Sequence, residues 1–151
     1  MNKQVIRDQY WEKLDQLIDI KRIYRPVEGW IRTVRKALGM SSPQLALRLG
    51  VSKSQASQME RMEIEDRITL KQLRRVADVL DCELQYALVP RKPVREMVRS
   101  RARLKAEKLI KRVNTHMALE SQSLADKKLQ EQIEIETDRL LRELPRDLWE
   151  D

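Results

Sequence analysis

Between Ser42 and Arg61 the chain reads SPQLALRLGVSKSQASQMER, and the spacing of four residues in that run narrows what it can fold into more than any other feature. Counting Ser42 as the first position, Ala46 stands fifth, Gly50 ninth, Ala56 fifteenth and Met59 eighteenth. Two short helices that cross steeply need a small side chain where their backbones approach. The tight corner between them needs a residue at ease with positive φ, which is glycine's property. Ala56 and Met59 then face inward on the second helix. Lys53, Ser54, Gln55, Ser57 and Gln58 are left facing outward, a short polar row rich in hydrogen-bonding groups.

The flanks extend a helical pattern. Residues 3–22 carry a stripe of Ile6, Tyr10, Leu14, Leu17 and Ile18, a packing helix broken at Arg25-Pro26 because the residue before proline avoids helical angles. The next helix is expected over Val27 to Leu38, with Trp30, Ile31, Val34 and Leu38 on one face and Gly39 as its stop. Ser42 is expected to cap the following helix with Pro43 at its first position, and Ser52 to cap the one after. A charged loop over 63–68, whose Glu63, Glu65 and Asp66 read as solvated, leads to a further cap at Thr69. Leu70, Leu73, Val76, Ala77 and Leu80 then form the cleanest amphipathic stripe in the chain.

At Asp81 the period changes. Cys82, Leu84, Tyr86 and Leu88 alternate with Glu83, Gln85, Ala87 and Val89, which predicts one short strand near 82–89, ended by Pro90. A lone strand is a liability. It is expected to pair with a second subunit or a partner's edge, or else to pack on its own helices. Beyond it lie a basic helix from about Arg91 to Arg112, with Met97, Leu104, Leu109 and Val113 as its weak apolar stripe, and an acidic helix from about Ser121 to Leu144. The latter carries Leu129, Ile133, Leu140 and Leu144 on one face; Pro145 ends it and Leu148-Trp149 forms an apolar tip. The expected organisation is therefore an N-terminal helix (1–24), a central helical domain (25–90) and a helical extension (91–151), all-α apart from the one strand.

Charge sharpens the functional reading. The chain carries a net +7, with 36% charged residues and a pI near 9.7, which suits a polyanionic partner. The excess is uneven: 10 Lys/Arg against 2 Asp/Glu over 91–118, but 5 against 10 over 119–151. The basic helix either grips phosphates outside a groove or faces the acidic helix as a hairpin, and the hairpin is the favoured reading. A single cysteine, Cys82, rules out an internal disulfide and fits a reducing cytosol. No apolar run approaches a membrane span and the N-terminus lacks the apolar core of a signal peptide, so a soluble cytoplasmic, nucleoid-associated protein is expected. There is no phosphate-binding glycine loop, no HExxH and no GxSxG. His116 has no cysteine near it and, beside Met117, Ala118 and Leu119, reads as part of a packed helix junction. No enzyme activity, cofactor or metal is expected.

The outward row fits nucleobases. Lysine donates to guanine O6 and N7, and glutamine matches the acceptor–donor pair of adenine. Lys53, Ser54, Gln55, Ser57 and Gln58 are thus candidate base contacts. Ser42 and Gln44 at the start of the preceding helix, with Arg61, Arg67 and Lys71, are candidate phosphate contacts.

AxxLGVSxSxxSxxE (Ala46 to Glu60) and the LxxLRRVADVLDCEL helix that follows it make the run from Ile31 to Leu88 resemble the lambda-repressor-like (Xre) DNA-binding domain. That resemblance implies a five-helix domain binding palindromic double-stranded DNA as a homodimer. It places base-reading residues at Lys53, Ser54, Gln55 and Gln58 with Ser57 close by, the helix-start glutamine at Gln44, and a structural glutamate at Glu60. GWIRTVRKALGM (Gly29 to Met40), DCELQYALVP (Asp81 to Pro90) and HMALESQ (His116 to Gln122) together look like the family called mobile mystery protein A. Its members join an Xre domain to a helical extension and are typically encoded beside a Fic-domain partner, an arrangement similar to a toxin–antitoxin operon. The implied role is an antitoxin-like repressor of its own operon. The alternatives are direct masking of a Fic-type toxin, and non-specific binding through the basic segment. The (Ser/Thr)-x-x-x-Glu-(Gly/Asn) string of one type of Fic inhibitor does not occur, so restraint of such a partner would use other contacts or act through transcription.

Overall fold

The computed structural model describes residues 2–114 and 122–151. Within them lie α1 (Lys3–Asp15), α2 (Trp30–Ala37), α3 (Ser42–Leu49), α4 (Lys53–Ile64), α5 (Leu70–Val79), α6 (Val94–Asn114) and α7 (Gln122–Glu143). The all-α, lambda-repressor-like reading holds, and no strand occurs among the described residues. Two compact units emerge: Lys21–Leu88 holds α2 to α5, while the chain up to Ile20 joins Val89–Asp151 to hold α1, α6 and α7. His116, Met117, Ala118, Leu119 and Ser121 lie outside the described residues.

In the 21–88 unit one device starts three helices. Ser41, Ser52 and Thr69 each accept the N–H of a glutamine three residues on, and each glutamine side chain returns to the cap's own N–H: Gln44 at 2.8 Å, Gln55 at 3.0 Å and Gln72 at 3.0 Å. These are reciprocal capping boxes, which satisfy two otherwise orphaned donors apiece. The box also moves the expected cap. It requires glutamine three residues after the cap, and Gln44 stands three after Ser41, so Ser41 caps α3 while Ser42 is its first helical residue. Gly50 closes α3 at φ +68, with the Val51 N–H returning to the Ala46 carbonyl at 3.0 Å. Ile31, Leu45, Leu49, Met59, Val76 and Leu80 form the core.

Two buried carboxylates complete this unit, and both belong to α4. Glu60, 2% exposed, takes the Arg35 Nε at 2.6 Å and the Arg32 Nε at 3.1 Å, tying α4 to α2. Glu63 is 4% exposed and accepts the N–H groups of Trp30 at 2.7 Å and Ile31 at 2.9 Å. It is therefore not solvated: it is the side chain that starts α2, and starts it at Trp30 rather than Val27. Gly29 is required there twice over, since its φ is +86 and a Cβ would lie 2.9 Å from the Glu63 Oε1. Glu65 and Asp66 do remain exposed, paired with Arg67 and Arg25.

After α5 the expected strand is absent. The Cys82 N–H returns to the Ala77 carbonyl at 2.8 Å, and from Glu83 to Pro90 no backbone group bonds to another backbone group among the described residues. Alternation supplies the side-chain pattern of a strand, but a ladder needs a second backbone, and none pairs with this segment among the described residues. This unit accordingly holds four helices where the resemblance implies five, with a segment of no regular structure following the fourth.

The other unit is a helical hairpin with a clasp. Val98, Ala102 and Ala106 of α6 bury against Ile133, Leu140 and Leu141 of α7, with Val94, Ile110, Leu129 and Leu144 partly buried around them. The packing face of α6 is thus the Val94–Val98–Ala102–Ala106–Ile110 stripe, not the expected one: Met97, Leu104 and Val113 are exposed. Small side chains at i and i+4 let two helix backbones approach closely, and the long ones flank the seam. Leu148, expected at a free tip, is buried in this core, and only Trp149 stays out.

Basic α6 faces acidic α7, as the hairpin reading expects. Arg99 bridges Glu134 and Asp138, both at 2.9 Å; Arg103 bonds Glu134 and Gln130; Lys105 meets Asp147 at 2.9 Å and Arg101 meets Asp151 at 3.2 Å. The clasp is α1, which contains no fully buried residue. Its Asp15 Oδ1 accepts the Val94 N–H at 2.9 Å, while Arg7 donates to the carbonyls of Leu141 and Arg142 at 3.5 and 3.3 Å. An acid sits on the amino end of α6 and a base on the carboxyl end of α7, each matching the helix dipole it meets. Trp11 packs into the core beside Arg7, whereas Ile6 and Tyr10, the expected inward stripe, are exposed. With no apolar face to extend, α1 gives way at Gln16 to three-residue turns through Ile20, well before Pro26.

Candidate nucleic-acid interface

The corner between α3 and α4 is built as the spacing requires. Ala46 is buried at the crossing, Gly50 turns the chain, and Ala56 and Met59 are buried beneath α4. Lys53, Ser54, Gln55, Ser57 and Gln58 are all exposed on the opposite side. Arg61, also exposed, continues the row, since Lys53, Ser57 and Arg61 follow one another at i+4 and Ser54 and Gln58 do the same beside them.

The candidates differ chemically once their partners are counted. The Gln55 Oε1 accepts the Ser52 N–H, which fixes the amide's orientation and leaves its –NH2 turned to an outside acceptor; Gln44 is in the same position, held by Ser41. Gln58 has no such tie among the described residues, so it alone of the three can turn its whole amide toward a bidentate contact. Ser57 shares a hydrogen bond of 3.3 Å with Ser42, which links α4 to the first residue of α3. Lys53 and Lys71 sit exposed in the first turns of α4 and α5; Arg67 pairs with Glu65 at 3.0 Å on the intervening turn. Beside the row, Gln55, Gln58, Gln72 and Arg75 line a shallow depression with Val51, Met59 and Met62.

Sequence reasoning missed the residues that hold this surface still. Arg75 donates to the Leu49 carbonyl at the end of α3, and Arg25 donates to the Glu63 carbonyl at 2.8 Å and to Asp66 at 2.6 Å. Neither has a sequence signal. Ser41 does: the Ser/Thr-x-x-Gln pattern occurs at all three helix starts and locates each cap.

A helical corner with a polar, unobstructed second helix has the shape of a major-groove reader. Residues 31–86 match the Helix-turn-helix family, and that stretch is an Xre-like helix-turn-helix domain of the DNA-binding regulatory kind. Neither a search of curated proteins nor a search of solved structures gives a match to this chain. Among the described residues no helix is long and apolar enough to cross a membrane, and no group of His, Cys, Asp and Glu could hold a metal ion.

Proposed function

We propose that the protein is a sequence-specific transcriptional repressor that binds a palindromic operator as a homodimer. The observation that carries this reading is the exposed α4 row, in which Lys53 and Gln58 have no hydrogen-bond or ion-pair partner among the described residues. In the groove Lys53 addresses guanine and Gln58 adenine, while Gln55 donates through its –NH2 and Ser54 and Ser57 make single contacts. The Gln44 –NH2, Ser42, Arg61, Arg67 and Lys71 hold the flanking phosphates. Two such helices, about 34–36 Å apart, occupy successive major grooves and exclude polymerase. The likeness to mobile mystery protein A names the first operator to try: the DNA upstream of the protein's own gene, in an operon shared with a Fic-domain protein.

The basic α6 segment supports non-specific binding poorly, because Arg99, Arg101, Arg103 and Lys105 are paired with acidic or carbonyl groups of their own unit. A footprint on the upstream DNA tests the proposal. A protected inverted repeat is the expected result. Replacing Gln58 or Lys53 by alanine should then weaken binding by roughly 1–3 kcal/mol on that site and far less on unrelated DNA. Equal losses on every sequence would refute specific reading.

A further inference from the structure

We propose that Glu83–Leu88 is the edge through which two copies of this chain associate, pairing antiparallel with the same segment of the second copy. The proposal deepens the dimeric reading above and rests on it. Four observations converge on this segment and on this occupant.

The backbone runs from Glu83 to Leu88 without a turn or bend, and its hydrogen-bonding groups meet no other backbone group among the described residues. Such a row is a template for another strand. Its apolar side chains are left out of the 21–88 core: Tyr86 is 65% exposed and Leu88 87%. It is also held in place. The Cys82 N–H bond to Ala77 fixes its start on α5, Leu84 is half-buried, and the Arg74 guanidinium lies 5.8 Å from the Tyr86 ring centre. A two-stranded pair is marginal by itself, so this backing matters.

The argument for a second copy is electrostatic and geometric. A chain of net +7 repels its own kind, yet Leu84 to Pro90 carries no charge. Antiparallel pairing centred on Tyr86 sets Leu84 against Leu88 of the second copy, Tyr86 against Tyr86, and Gln85 against Ala87. Leu84, Tyr86 and Leu88 of both copies then share one face and Gln85, Ala87 and Val89 the other, and Glu83 meets Val89 rather than another glutamate. A one-residue slip to an odd register would set the Leu84–Tyr86–Leu88 face of one copy against the Gln85–Ala87–Val89 face of the other and break up the large apolar cluster. The other exposed apolar stretch of this unit contrasts with it. Ile23, Tyr24 and Val27 are exposed too, but Lys21, Arg22 and Arg25 are interleaved with them and Pro26 lacks a donor, so self-pairing there would face like charges.

Sedimentation equilibrium on the full chain tests the pairing. The wild type should dimerise. Tyr86→Lys and Tyr86→Glu should each weaken dimerisation by about 10-fold or more, and mixing the two should restore it, because opposite charges then face each other across the pair. Tyr86→Cys in a Cys82→Ser background should cross-link as a dimer under mild oxidation, since directly opposed Cα atoms lie within disulfide range; this decides the matter if the charged variants do not fold. A wild-type dimer unaffected by Tyr86→Lys, a mixture that stays monomeric, or no cross-link overturns the strand pairing and leaves a dimer through another surface. A monomeric wild type overturns pairing and dimer together. A normal dimer with no operator preference overturns the repressor reading alone.

Discussion

The segment with the densest positive charge and the unit with the largest uncommitted positive charge are different parts of this molecule. α6 is strongly basic, yet its unit carries 18 Lys/Arg against 16 Asp/Glu, a net of +2. The 21–88 unit carries 13 against 8, a net of +5, and two of its eight carboxylates, Glu60 and Glu63, are buried. The hairpin uses its charge internally, across one seam. The helix-turn-helix unit buries two of its acids, Glu60 and Glu63, and leaves the lysine, amides and hydroxyls of α4 outward. A basic run thus locates a polyanion surface only after its internal partners are subtracted.

The two units also use ion pairs differently, and substitutions can break that contrast. The largest effect should come from Glu60→Ala. Removing a buried partner of Arg35 and Arg32 should lower unfolding free energy by roughly 3 kcal/mol, at the low end for buried pairs because Arg32 keeps solvent; denaturant titration measures it. Next is Ala102→Leu, which forces the α6–α7 seam apart and should cost about 1–3 kcal/mol by the same titration. Arg99→Ala removes two salt bridges at once, yet both are half-exposed, so a loss of under about 1 kcal/mol is expected. If it matched Glu60→Ala, the contrast between buried and solvated pairing would fail.

Acid should give the smallest effect. The Lys105 ammonium holds the Asp147 carboxyl below its ordinary value of 3.8, and the Arg139 guanidinium holds Glu136 below 4.5. Groups lowered on folding add stability above their unfolded values and lose it as pH falls through the folded ones. Thermal melts at pH 5 and pH 3 should therefore show a small loss at pH 3, and Asp147→Asn should remove part of it.

How much was legible in the sequence follows from where each signal resides. The corner was legible because Ala46, Gly50, Ala56 and Met59 obey local sterics, and the exposed α4 row follows from them. The hairpin was legible from complementary charge. The packing faces of α1 and α6 were not: alanine is counted as weakly apolar, so a periodicity search favours Met97 and Leu104 over Ala102 and Ala106, although close approach favours the smaller residues. Glu63 was misread because its partners, the N–H groups of Trp30 and Ile31, lie over thirty residues away in sequence. No strand forms near 82–89 within the single chain, because side-chain alternation says nothing about whether a second backbone is present.

The occupied Oε1 of Gln55 separates scaffold from vocabulary along a single turn of helix. Gln55 cannot change without loosening the start of α4, whereas Lys53 and Gln58 can be exchanged without touching a cap or the core. Under the proposed function, a descendant or a designer seeking a new target site would rewrite those two letters and keep the third.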